Sequence, residues 1–251
     1  CPFVPAEWIA AHGFTPCRLM PPGPTRADAP FPVTGVCPYA AAFAAAAIGE
    51  RGAAAIVMTT TCDQMRRMAE FVAEAVACRV FIMHVPTIAD PVVALPMYRD
   101  EIIRLGRFLG HIGGAHASQA DLAREMIAPL GPPPVCGGKA EGGKADRQIP
   151  LALVGSPLMQ HDEDLLATIE RAGGAVVLDA TGSGERTVPR RFDYDAVQRD
   201  AMEELVNAYF AIPDAFRRPN DALYAYLKRE CAARGVHGVI LRHCVWCDTW
   251  Q

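Results

Sequence analysis

Four cysteines stand at the ends of predicted elements, where a thiol can do chemistry. Cys37 precedes a predicted helix, Cys62 follows an apolar strand and opens the next helix, and Cys244 and Cys247 follow the last strand, "VHGVILRHC". Sites in open α/β sheets form beyond the carboxyl ends of strands, and a helix N-terminus lowers a thiol pKa and so favours the metal-binding thiolate. The pattern predicts a metal or redox site, and Cys1, in front of another predicted helix, is a further candidate.

The spacing of these cysteines favours an iron–sulfur cluster over a zinc ion. Zinc sites usually show paired C-x2-C motifs or nearby histidines, and here only Cys244 and Cys247 form such a pair. Cys37 and Cys62 stand alone on separate elements, which suits a cluster held from several loops. A zinc-stabilised structural protein stays open as an alternative. The cysteines without this context are expected to be ordinary packed residues: Cys17, Cys78, Cys136 and Cys231.

Composition limits the class of protein and its partners. The chain has 251 residues and a net charge of −4, with acids and bases interspersed, so no basic surface for nucleic acid or a membrane is indicated. Its apolar runs are too short to span a bilayer, and the first residues lack the features of a signal peptide. We therefore expect a cytoplasmic protein with no nucleic-acid or membrane partner.

Strand and helix patterns alternate along the chain, which predicts an α/β fold with parallel sheets covered by helices. We expect one α/β unit over residues 1–128, a Pro/Gly-rich linker over 129–149 and a second unit over 150–251. Among the helices, the pattern predicts one that begins near Tyr98 and one that runs unbroken over 195–210.

Three polar residues outside the cysteines are further candidates. The loop "TGSGERT" at 181–187 follows a strand and could hold a phosphate, for instance of CoA. It lacks the G-K-[ST] ending of a P-loop and the full G-x-G-x-x-G spacing, so a plain turn is favoured. Gly184 and Arg186 lie in it. Ser156, in "GSPL", also follows a strand and is a candidate catalytic residue at the cleft, although a helix-capping or turn role is favoured.

Several stretches, taken in order, resemble a known family. They are "CPFVPAEWIAAHGFTPCRL", "VCPYAAAF", "VMTTTCDQMRRMAEF", "VGSPLM" with "IERAGGAVVLDATGSGERT", and "GVHGVILRHCVWCD". Together they span most of the chain and resemble the 2-hydroxyacyl-CoA dehydratase subunits, with the related benzoyl-CoA reductase subunits and double-cubane-cluster proteins. Gly184 and Arg186 match one of these blocks.

The resemblance implies a cluster and its ligands. It assigns a [4Fe-4S] cluster to Cys37 and Cys62 in the first unit and Cys247 in a Rossmann-like second unit, with the metal site between the two units. Three thiolates leave one iron open. Cys244 and Cys1 are possible additional ligands, and a double-cubane cluster is less expected because the other cysteines it needs are absent from the matching blocks.

The last strand offers a way to choose within the C-terminal pair. Side chains alternate along a strand, so Ile240, Arg242 and Cys244 should share one face. Because a buried arginine is unusual, that face need not point into the cleft, and we expect Cys247, beyond the strand end, to be the ligand.

The resemblance also implies an activity and partners. It points to an oxygen-sensitive enzyme of anaerobic metabolism that eliminates water from a 2-hydroxyacyl-CoA by a radical route, as a lyase, or reduces an aromatic or unsaturated acyl-CoA, as an oxidoreductase. A separate ATP-hydrolysing iron–sulfur activator would supply the electron, and a related subunit would complete a homo- or heterodimer. The alternative is a cluster-binding electron-transfer or assembly module that turns over no CoA ester.

Overall fold

The protein has an α/β fold in which parallel strands are flanked by helices. A computed structural model describes residues 1–24, 31, 34–128 and 148–250. The described strands form one two-stranded and one three-stranded sheet, and every pairing between them is parallel. The fold class predicted from the alternating pattern is therefore confirmed.

Nine α-helices and five strands are assigned within the described residues. The helices are α1 Ala6–Ala11, α2 Pro38–Gly49, α3 Asp63–Ala75, α4 Pro91–His111, α5 Gln119–Ile127, α6 Glu163–Arg171, α7 Tyr194–Arg199, α8 Ala201–Phe210 and α9 Asp221–Ala233. The strands are β1 Ala55–Thr59, β2 Arg79–Met83, β3 Ile149–Gly155, β4 Gly174–Thr181 and β5 Gly238–Arg242.

The order of the strands brings several carboxyl ends to the same region of the molecule. β1 pairs with β2, and β3 is the central strand between β4 and β5. In register, Gly155 at the end of β3 is opposite Thr181 of β4 and Arg242 of β5. The segments that follow β3, β4 and β5 therefore leave the sheet side by side, which is where parallel sheets form sites.

Two large apolar clusters hold the elements together. The first joins side chains of α1, α4 and α5 to α7 and α8, with Tyr98, Ile102, Leu105 and Leu205 fully buried. The second lies under α2, α3 and β1, where alanines of α2 allow close helix packing, and it includes Cys37, Cys244 and Cys247. The cysteines thus lie at the edge of a packed core.

Two helices differ from the sequence prediction. The stretch 195–210 is two helices, α7 and α8, because Asp200 takes an extended conformation (φ −154°, ψ 98°) and its carboxylate accepts a hydrogen bond from Glu203 N at 3.0 Å. α4 begins at Pro91, earlier than predicted, because Asp90 caps it and Pro96 is accommodated inside the helix. An interior proline normally breaks a helix, so the local rule does not indicate the turns of α4 that precede Tyr98.

The linker prediction falls mostly outside the described residues. Residues 129–147 and Cys136 are not among them, and Ile149, placed in the linker, is the first residue of β3. The division into units at 1–128 and 150–251 stays a prediction. Among the helices described, none is long and apolar enough to cross a membrane.

Candidate functional site

Four cysteines from four separate segments line one cavity. They are Cys1, Cys37, Cys62 and Cys247, and the cavity has a volume of about 130 Å³. We call it the cysteine cavity. Three of these residues are the ligands that the resemblance assigns, and the fourth, Cys1, is one of the two possible additions. Cys244, the other, is not among the lining residues.

Helix starts position two of the four thiols. Cys37 is the N-cap of α2 and is followed by Pro38, whose fixed φ suits the first helical position. Cys62 is the N-cap of α3, three residues after β1 ends. The two caps are linked, because the Cys37 N–H donates a hydrogen bond to Gln64 Oε1 at 3.3 Å. The sequence prediction that both cysteines precede helices is confirmed.

Ser156 connects β3 to the C-terminal pair of cysteines. Its side chain is almost fully buried, its hydroxyl donates to Cys247 Sγ at 3.5 Å, and it accepts a hydrogen bond from Cys244 N at 3.3 Å. Thr249 Oγ1 lies 3.4 Å from Cys247 Sγ on the other side. Ser156 therefore lines the cysteine cavity and orients Cys247, and its catalytic role stays a prediction.

Arg242 corrects the expectation about the faces of β5. Val239 and Leu241 are 60% and 57% exposed, so the face of Ile240, Arg242 and Cys244 is the inner one. The guanidinium is accommodated because its Nη2 pairs with Asp162 at 2.7 Å and its Nη1 donates to Pro157 O at 2.9 Å. Nη1 also donates to Cys244 Sγ at 3.1 Å, so this thiol faces an arginine inside the protein.

The expected effect of the helix N-termini on the thiol pKa values is outweighed. Backbone N–H groups of α2 and α3 do favour the thiolates, but burial raises the pKa of Cys62, and a hydrogen bond with Cys244 together with burial raises that of Cys37. The pKa of Cys244 shifts in the opposite direction. The hydrogen bond from Cys37 and the charge of Arg242 lower its pKa to about 6.

Positive charge also lines the cysteine cavity. Arg18 donates from Nη1 to Thr187 Oγ1 at 3.2 Å and from Nη2 to Gly182 O, and both acceptors are neutral. No carboxylate of the described residues lies within salt-bridge distance of Arg18. Burial lowers the pKa of its guanidinium, because the charged form is less well solvated inside the protein. Arg186 lines the cavity too, but its charge is balanced by Asp214 at 2.7 Å. Arg18 is therefore a cation that a bound anion could neutralise.

The loop at 181–187 has a structural explanation. A Cβ on Gly184 would lie 2.2 Å from Asp179 Oδ1, so glycine is needed for the close approach of this turn to β4. Arg186 is 1% exposed and its Nε donates to Ala180 O at 3.0 Å. The phosphate role of Gly184 and Arg186 stays a prediction, and only Arg186 of the two lines the cysteine cavity.

Sequence reasoning missed Arg18, Asp214 and Trp250, which also line the cavity. Each comes from a loop, and none belongs to a motif with a fixed spacing. Arg18 is placed by Thr187 and Gly182, which lie 169 and 164 positions away, and Asp214 is placed by its ion pair with Arg186, 28 positions away. In the described part of the chain, no group of three or more His, Cys, Asp or Glu side chains is arranged to hold a metal ion.

Comparison with known proteins identifies the family. Among curated proteins, no significant match to the chain was found. A family model described as 2-hydroxyglutaryl-CoA dehydratase, D-component, matches residues 1–129 and 134–251, which is nearly the whole sequence and includes every residue lining the cysteine cavity. The chain therefore belongs to the 2-hydroxyglutaryl-CoA dehydratase, D-component, family.

Proposed function

We propose that the chain binds a [4Fe-4S] cluster in the cysteine cavity and acts as a cluster-bearing subunit of a 2-hydroxyacyl-CoA dehydratase. The observation that carries the proposal is that Cys37, Cys62 and Cys247, from three distant segments, line one cavity. Family membership supports a dehydratase-like subunit.

The donor set fits an iron–sulfur cluster. Each iron of a cubane cluster can take one thiolate, so the ligands surround a space and need not converge on one point. Thiols that line a cavity from separate loops have this arrangement. When bound, the cluster would supply an electron at low potential to an acyl thioester.

The remaining residues of the cavity are suited to such a group. A cluster bound by thiolates is anionic, and Arg18 offers a positive charge that no carboxylate of the described residues pairs with. A hydrogen bond with Cys244 together with burial raises the pKa of Cys37, and burial raises the pKa of Cys62. We therefore expect these thiols to lose their protons as metal binds. Ser156 holds Cys247 in place with a hydrogen bond. Cluster assembly should therefore release protons and be favoured by higher pH.

The substrate and partners follow from the family. We expect a 2-hydroxyacyl-CoA, with an aromatic or unsaturated acyl-CoA as the alternative of the reductase relatives. The sequence has no G-x4-G-K-[ST] motif, so we expect a separate ATP-hydrolysing activator to deliver the electron. A related subunit would form the dimer.

The test is metal and sulfide analysis of protein prepared without oxygen. We expect about four irons and four acid-labile sulfides per chain. Cys37→Ala and Cys62→Ala should each lose most of both, while Cys231→Ala, which changes a partly buried cysteine of α9 outside the cavity, should retain them. Stoichiometric zinc without sulfide would contradict the proposal.

A second measurement separates the enzyme from the electron-transfer alternative. Titration of the cluster-loaded protein with 2-hydroxyglutaryl-CoA should change the electron paramagnetic resonance spectrum of the reduced cluster, whereas CoA alone should not. An unchanged spectrum at saturating ester, with the full iron and sulfide content, would favour a module that turns over no CoA ester.

A further inference from the structure

We propose that Cys1 is the fourth thiolate ligand of the cluster. Its thiolate would occupy the coordination position that three cysteines leave free on one iron. The inference rests on the proposed function, since it requires a cluster in the cysteine cavity. It goes further because neither the family match nor the three-cysteine motif assigns a fourth protein ligand.

The segment that carries Cys1 is held firmly against the core. Phe3, two residues later, is 1% exposed, and its ring packs edge-on against Phe216 with centroids 5.1 Å apart. Its carbonyl accepts a hydrogen bond from Tyr98 Oη at 2.6 Å. Val4 N donates back to Cys1 O at 3.4 Å, which closes a turn. Cys1 is therefore placed at the cavity by its neighbours and does not depend on its own side chain for its position.

The thiol of Cys1 lies beside the segment that carries another ligand. Its Sγ is 3.9 Å from Thr61 Oγ1, and Thr61 immediately precedes Cys62. Both Thr61 and Cys62 line the cysteine cavity. Cys1 forms no disulfide, and its side chain is solvent-accessible. The thiol is thus available to a group bound next to Cys62.

Cys244 is the competing candidate and has a different environment. It is 6% exposed, does not line the cavity, and its Sγ already accepts a hydrogen bond from Arg242 Nη1 at 3.1 Å. Its backbone N–H is bound by Ser156. A thiolate that binds iron can keep such a hydrogen bond, so the contact with Arg242 does not by itself exclude Cys244. The two cysteines differ in position, because Cys1 lines the cysteine cavity and Cys244 does not.

A fourth thiolate has a consequence for reactivity. With Cys1 bound, no iron offers a free coordination position to oxygen or to a small added ligand. The cluster should therefore be more resistant to air than a three-cysteine cluster, and Cys1→Ala should restore the open iron.

The experiment compares Cys1→Ala and Cys1→Ser with the wild type and with Cys231→Ala, all loaded with ⁵⁷Fe under anaerobic conditions. Mössbauer spectra should show four similar thiolate-bound irons in the wild type and Cys231→Ala, and one distinct iron in Cys1→Ala and Cys1→Ser. Added cyanide should shift the spectrum of that distinct iron and leave the wild type unchanged. The absorbance of Cys1→Ala should bleach faster in air.

The possible results separate this inference from the proposed function. A wild type that already shows one distinct, cyanide-sensitive iron would overturn the role of Cys1 and leave the proposed function standing. A wild type with no iron–sulfur cluster would overturn the proposed function itself. Loss of the whole cluster in Cys1→Ala, with unchanged circular dichroism and unfolding midpoint, would still identify Cys1 as a ligand, provided that Cys1→Ser retains a cluster with one distinct iron.

Discussion

Cys244 and Cys247 are three residues apart, but their sulfur atoms have different surroundings. Cys247 Sγ contacts the hydroxyls of Ser156 and Thr249 and lines the cysteine cavity. Cys244 Sγ accepts a hydrogen bond from Arg242, and the hydrogen bond from Cys37 together with the charge of Arg242 lowers the pKa of this thiol. The difference follows from the end of β5 at Arg242, because the chain turns after this residue and carries Cys247 away from the sheet.

We therefore expect Cys247→Ala to remove nearly all cluster iron and sulfide, and Cys244→Ala to retain most of both. The cost of Cys244→Ala should be a packing loss of about 1 kcal/mol in the free energy of unfolding. Iron and sulfide analysis together with urea unfolding of both variants tests this. Cluster loss in Cys244→Ala with retention in Cys247→Ala would show that the cysteines have the opposite roles.

At this scale the sequence identifies cysteines far better than their surroundings. Cys37 and Cys62 could be placed because a local pattern marks each position: Cys37 lies at a helix start, and Cys62 lies between a strand end and a helix start. Arg18 could not, since its position depends on Thr187 and Gly182, which are distant in sequence. The burial of Arg242 was predicted wrongly because its partner, Asp162, is 80 positions away.

At the scale of elements, the end of β3 determines how closely β5 can approach. Gly155 has a φ of +136°, and a Cβ there would lie 1.8 Å from Arg242 O. The same residue leads directly into Ser156, whose N–H donates to Arg242 O at 2.9 Å. The turn that presents Ser156 and the two C-terminal cysteines therefore requires glycine.

Gly155→Ala should destabilise the protein by about 3 kcal/mol or more, because left-handed strain is combined with a backbone clash. Gly173→Ala is the matched control, since Gly173 also has a positive φ (+87°) but nothing lies within 4 Å of its Cβ position. Its cost should be about 1 kcal/mol. Urea unfolding measures both changes in the free energy of unfolding. Equal values would mean that β5 can shift away from a Cβ at position 155 at little cost.

Element boundaries were predictable where one local rule applied. α2 starts at Pro38, as predicted, and α3 starts at Asp63, directly after Cys62, which was predicted to open it. The strands lie where the apolar runs predict them. The break between α7 and α8 was not predicted because the apolar period continues through it. There, the cap formed by Asp200 outweighs the continuity of the pattern.

At the scale of the whole molecule, helices from both halves of the sequence share one core. Val197, Leu205 and Tyr209 of α7 and α8 pack with Trp8, Tyr98 and other side chains of the first half. The hydroxyl of Tyr209 donates to Glu7 Oε2 at 2.7 Å and accepts from Ala6 N at 3.1 Å. The α/β class is predictable from alternation alone. This packing between halves is not, because no local pattern specifies which distant helix a given apolar face meets.

The stability of this shared core should depend on pH through Glu204 of α8. Its carboxylate is 4% exposed and accepts hydrogen bonds from Arg190 Nη1 at 2.5 Å, Arg190 Nη2 at 2.9 Å and Asp193 N at 2.8 Å. The Arg190 guanidinium holds the pKa of Glu204 below its ordinary value of 4.5. Because the folded state then binds the proton less tightly than the unfolded state, this contribution is fully present above about pH 5 and is lost as the pH falls through the folded-state pKa.

Glu204→Gln should therefore lower the free energy of unfolding by about 2 kcal/mol at pH 7 and by less at pH 3, because the amide cannot replace the charge-assisted hydrogen bonds. The wild-type and variant curves of stability against pH should converge as the pH falls from 5 to 3. Glu74→Gln is the control, since Glu74 is exposed on α3 and forms no ion pair within the described residues. Urea unfolding across this pH range measures all three proteins. Parallel curves for the wild type and Glu204→Gln would show that the Arg190–Glu204 pair does not link the core to pH.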